Sequence, residues 1–123
     1  MKTVIDPKQN GTILLQWRGA DAKIWMFDVS LKRLGIRLSR KDEAEVLYIV
    51  AITCEHIVGQ FSWKNADLLV ATGRNNEYGE PICSVTDSKA GFELLCSSVV
   101  LVKGPATDLD KTFDSFLGDA CPG

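Results

Sequence analysis

The sequence predicts an α+β fold: one mainly antiparallel, strongly curved or barrel-like β-sheet of about six or seven strands, with a C-terminal helix packed on it. Three observations carry this. Apolar residues alternate along most of the chain with the two-residue period of extended backbone. Leu109, Phe113, Phe116 and Leu117 form a single stripe at helical spacing near the end. The regular strand–helix alternation of a doubly wound sheet is absent.

The first unit follows the Asp6-Pro7 and Asn10-Gly11 turn signals. In residues 12–18, Ile13, Leu15 and Trp17 fall on one side of an extended chain and Leu14 and Gln16 on the other. Residues 19–22 then separate this run from 23–29, where Trp25, Phe27 and Val29 share a face, so the two are expected to pair as a hairpin. In residues 31–39, Leu34, Ile36 and Leu38 alternate with Gly35, Arg37 and Ser39, and a helix through Gly35 would lose roughly 1 kcal/mol relative to Ala. A charged turn, or the cap of a short helix, follows at 39–43. Residues 45–53 are rich in β-branched side chains, which favours a central strand, with a buried helix as the alternative.

Gly59 interrupts an extended stretch in which Ile57, Phe61 and Trp63 keep the same parity, as at a bend or bulge. Residues 66–72 read as a strand and 73–81 as a loop presenting Tyr78 among amide and acidic neighbours. Strands over 82–86 and 92–102 follow, joined by a turn at 87–91. A helix over 108–117 is expected to start on Thr107, with Asp108 and Asp110 in its first turn.

Size and composition frame these elements. A chain of 123 residues with 46% hydrophobic content is expected to form one compact domain, with flexible ends at about 1–6 and 119–123. The net charge of −2 hides a gradient: residues 1–40 hold eight basic and three acidic side chains, whereas 41–123 are net acidic. A nucleic-acid binder would carry a broadly positive face, so no nucleic acid is expected as partner. The first residues lack the apolar core of a secretory signal, and the longest apolar run, 46–52, is too short to span a bilayer. The reading is therefore a cytoplasmic protein that does not enter membranes. Cys54, Cys83, Cys96 and Cys121 make no CxxC pair and read as free thiols, Cys121 being exposed enough for an adventitious intermolecular disulfide. Asn10-Gly11-Thr12 is a glycosylation sequon in form and a turn signal in its simplest meaning.

Candidate chemistry is sparse. His56 is the single histidine, which leaves out His-rich metal and protease motifs. In a strand it would share a side with Cys54, roughly 6.5 Å away, a minimal thiol–imidazole pair for nucleophilic catalysis. Walker, GxGxxG and G-x-S-x-G sequences are absent, so no cofactor and no metal are expected.

The first functional expectation is accordingly a small non-enzymatic interaction protein that engages a protein partner or self-associates. Its contact residues would be Arg33, Arg37, Arg74, Glu77, Tyr78 and Glu80. The alternatives are a barrel-like small-molecule binder built around Trp17, Arg18, Trp25 and Trp63, and a small enzyme using Cys54 and His56.

Overall fold

In a computed structural model, described for residues 2–105, 113–118 and 120–122, the chain builds two sheets rather than one. The strands of the larger sheet are β1 (Lys2–Val4), β2 (Asp21–Asp28), β3 (Arg33–Ser39), β4 (Glu45–Ile52), β6 (Ser62–Trp63), β10 (Ser98–Pro105) and β11 (Ala120–Pro122). Their spatial order is β11-β1-β10-β4-β3-β2-β6, antiparallel except where β1 meets β11. The smaller sheet holds β5 (His56–Val58), β9 (Phe92–Cys96), β8 (Pro81–Asp87) and β7 (Leu69–Asn75), in that order.

Neither sheet closes or curls strongly, so the expected barrel is replaced by two open sheets facing a shared core. The larger sheet contributes Leu34, Ile36, Leu47, Ile49 and Leu101 to that core; the smaller one contributes Cys83, Val85, Phe92, Leu94 and Cys96. The opposite face of the larger sheet carries a second cluster around Val46, Tyr48, Val50 and Val102. Strand β4 thus has a covered side on each parity, which accounts for its unbroken apolar sequence and settles residues 45–52 as strand.

The expected helix position is also corrected. The helix that packs into the main core lies near the N-terminus, as α1 (Asn10–Gln16), over residues whose alternation suggested a strand. Asp6 accepts a hydrogen bond from the Lys8 amide, and Pro7 opens a 3-10 turn that runs into α1. Burial then selects Ile13, Leu14 and Trp17, leaving Leu15 exposed, which is a helical choice and not an alternating one. The expected hairpin between residues 12–18 and 23–29 is therefore absent; β2 pairs with β3 instead. At the other end, residues 106–112, including Thr107, Asp108 and Asp110, lie outside the described residues. Phe113–Gly118 form a six-residue helix, α2, whose Phe113 and Phe116 bury against Trp25 and Tyr48 on the second cluster.

Two local devices shape the sheets. Trp25 sits at a bulge between Ile24 and Met26, and its ring lies over Gly35, where an added Cβ would meet the ring at 2.5 Å. The ladder between β4 and β10 breaks at Thr53 and Ser97 and resumes as β5 with β9, so one ribbon passes from the larger sheet to the smaller. Thr53 takes a positive φ of 56°, and the Ser97 amide and hydroxyl both donate to the Ile52 carbonyl, at 2.9 and 3.0 Å. The single long strand expected over 92–102 is divided at this corner.

Candidate functional site

The corner gathers three connections at one end of the molecule: residues 53–55, Ser97, and the hairpin between β7 and β8. That hairpin is ordered by its own polar groups. The Asn76 Oδ1 atom accepts from the amides of Tyr78 and Glu80, both at 2.9 Å. Its backbone exchanges further bonds with Gly79 and Glu80, and Gly79 supplies the positive φ of 77° that the turn requires. The expected loop over 73–81 is consequently shorter, because β7 runs to Asn75 and β8 starts at Pro81. Tyr78 stands at the tip, 78% exposed.

Beside this tip is a cavity of about 370 Å³, whose lining includes Tyr78, Asn76, Glu80, Glu55, Ile82 and Leu95. A second cavity, of about 560 Å³, adjoins it across Pro81, Ile82 and Ser97 and extends to Lys8 and Asn10. The trough so formed has an apolar floor, carboxylates at the Tyr78 end and an ammonium at the other. Glu55 faces Lys32 at 3.7 Å in an exposed ion pair. At the far end, the buried Asn10 Oδ1 has no hydrogen-bond partner among the described residues.

The other residues expected to act do not converge. Arg33 is nearly buried, held by Asp28 and stacked over Phe113 at 5.2 Å. Arg37 pairs across the ladder with Tyr48, so both arginines belong to the face of the larger sheet that points away from the smaller one. Only Arg74, on β7, shares the hairpin with Glu77, Tyr78 and Glu80.

The tryptophans are likewise dispersed. Trp17 is buried under the Arg40 guanidinium, 3.9 Å from its ring, and Arg18 is bound to Asp67 at 3.2 Å. Trp25 belongs to the second cluster. Trp63 packs on Phe92 at 4.7 Å and donates to the buried Asp87 at 2.8 Å. Trp63 lines a surface cleft of about 430 Å³ with Lys23 and Lys64, but none of the other three residues reaches it. With both sheets open, the barrel lumen that would have enclosed a ligand does not form.

Cys54 and His56 are separated by their surroundings. His56 is exposed and meets Glu93 at 3.5 Å on the outside of β5 and β9. Cys54 packs against the main core, and burial pushes its thiol up to about 11. Cys83 and Cys96 face each other across β8 and β9; burial raises both, Cys96 to about 12. These three sulfurs are held as thiols at neutral pH, the opposite of an activated nucleophile. Among the described residues no group of three or more His, Cys, Asp or Glu side chains could hold a metal ion. No described helix is long and apolar enough to cross a membrane.

These features define a small, mostly β-sheet α+β domain whose polar groups are largely engaged in holding the fold. No protein-family model matches the chain, and neither do curated proteins or solved structures at a significant level.

Glu55, Ile82 and Leu95 were not singled out by sequence. Each reads locally as an ordinary strand residue, and only the long-range pairing of β5, β8 and β9 brings them beside Tyr78.

Proposed function

We propose that this protein is a non-catalytic binding domain that engages another protein through the tip of the β7–β8 hairpin and the trough beside it. The observation that carries the reading is Tyr78, a large aromatic side chain 78% exposed on a loop already fixed by five hydrogen bonds from and to Asn76. An ordered aromatic tip loses little conformational entropy on contact, and such residues anchor interfaces where a hydrophobic body and a hydroxyl are both needed. Glu77 and Glu80 surround it with negative charge, which favours a partner whose facing surface is basic. Arg33 and Arg37 are not part of this surface.

The test is a photo-crosslinking residue at position 78 in the full chain, with the same residue at Lys64 as the control. The reading expects a discrete adduct with one protein at position 78 only. The purified adduct partner should then bind the wild-type chain and bind Tyr78→Ala at least tenfold more weakly, with thermal stability unchanged. Identical crosslinking at both positions, or undiminished binding by Tyr78→Ala, overturns it.

A further inference from the structure

Nine large hydrophobic side chains are strongly exposed among the described residues, and six of them lie in two short segments: Phe27, Val29 and Leu31, and Ile57, Val58 and Phe61. The two segments are stitched together. The Cys54 amide donates to the Lys32 carbonyl at 2.8 Å at one end, and the Ile24 amide donates to the Phe61 carbonyl at 2.7 Å at the other. Between those two bonds lie the end of β2 with the turn that follows it, and β5 with the segment that follows it, on different sheets. Phe27 pairs with Leu34 and Ile57 with Leu94, and both leucines are in the shared core, so these two side chains lie on the inner faces of the sheets at an uncovered margin.

Backbone pairing is incomplete at the same place. Among the described residues, β6 pairs with β2 only at Ala22 and Lys23, and β5 has a partner strand only in β9. The remaining edges differ. β7 carries a register break at Ala71–Arg74 with Gly73 at a φ of 88°, and β11 is three residues long and ends on Pro122, features that discourage edge pairing. The β2–β5 margin instead presents apolar side chains.

We infer that this margin is the interface of a homodimer, with a second copy of the chain as its occupant. Area is the first argument. Leaving out Val58, which pairs with Glu93 on the outer side of β5, the other five side chains leave roughly 550 Å² exposed, close to the upper limit for a patch on a monomer, against about 800 Å² buried per partner in a standard interface. Charge is the second. Two flanking ion pairs, Lys32 with Glu55 and Arg33 with Asp28, already join opposite signs. Paired in this way, these four groups do not repel a second copy. A two-fold contact would set one apolar strip on its equivalent, the self-complementarity that an isologous contact requires.

Sedimentation equilibrium of the full chain in reducing buffer, which removes any disulfide at Cys121, tests this. The wild type is expected to reach twice 13.5 kDa by about 100 μM. Phe61→Glu and Val29→Glu, both at highly exposed positions, should each raise the dissociation constant at least tenfold. As a second measurement, amide shifts of the wild type should change on dilution within 25–31 and 56–61 and stay fixed at the Tyr78 hairpin. A wild type that remains at 13.5 kDa, or a dimer whose variants associate undiminished or whose dilution shifts fall elsewhere, overturns the inference. Neither outcome bears on the Tyr78 reading, whose test varies a different residue.

Discussion

The Tyr78 hairpin and the β2–β5 margin both hold large side chains in water, but they do so in opposite ways. At the hairpin one aromatic residue projects from a loop whose polar groups bond to one another, within a locally acidic setting. At the margin apolar residues of two neighbouring segments, 27–31 and 57–61, stand exposed beside the Lys32–Glu55 ion pair. The proposed role of the first is contact with a single complementary partner, and that of the second is contact with its own copy.

The largest expected effect comes from removing a buried carboxyl that ties the smaller sheet to Trp63 of the larger one. Asp87 is buried, and its carboxylate accepts from Trp63 Nε1, the Asp67 amide and the Ala90 amide at 2.8, 2.9 and 3.3 Å. Asp87→Ala leaves those donors unpaired and should cost about 3 kcal/mol in a denaturant titration. Both surfaces should then fail together, which marks the contrast as one between sites on a common scaffold.

A smaller and more selective loss is expected from Gly59→Ala. The glycine has a φ of 142°, and an added Cβ would stand 2.6 Å from a Phe92 ring carbon and 3.1 Å from the Phe92 Cα. The substitution should cost about 1–3 kcal/mol, displace the 57–61 segment and weaken dimerisation, while position 78 still crosslinks. Equal damage to both activities would break the distinction.

The smallest effect is at the tip of the β2–β3 hairpin. Bonds from Arg33 and then Ser30 lower the Asp28 carboxyl from 3.8 to about 2. A lowered folded-state pKa contributes stability that is present above the unfolded value and lost as pH falls through the folded one. Thermal melts of the wild type should therefore lose stability between about pH 4 and pH 2 by more than those of Asp28→Asn. Equal slopes would show that this carboxylate does not hold the margin.

Much of the strand content could be read from sequence because alternation and β-branching act locally. Residues 33–39, 45–52 and 82–86 follow directly from their side chains. What could not be read depends on pairing between distant segments. Ile13 and Trp17 are four apart, a spacing that suits both a strand face and a helix face, and the start at Asp6-Pro7 decided for the helix. The division of residues 92–105 between two sheets rests on Ser97 meeting Ile52, forty-five positions earlier in the chain. The exposed position of Tyr78 was legible because Gly, Asn and Pro mark its turn. The margin was not, since the parity that groups Ile57, Phe61 and Trp63 also describes a buried face, and only Trp63 is buried.

The most direct test of two distinct contact surfaces is one crosslinking experiment with the photoreactive residue placed at 61 or at 78. The account predicts that position 61 yields chiefly a covalent dimer of twice 13.5 kDa from the purified chain, whereas position 78 yields no dimer and crosslinks only when another protein is supplied. Dimer formation from position 78, or its absence from position 61 at concentrations where the chain sediments as a dimer, would contradict it.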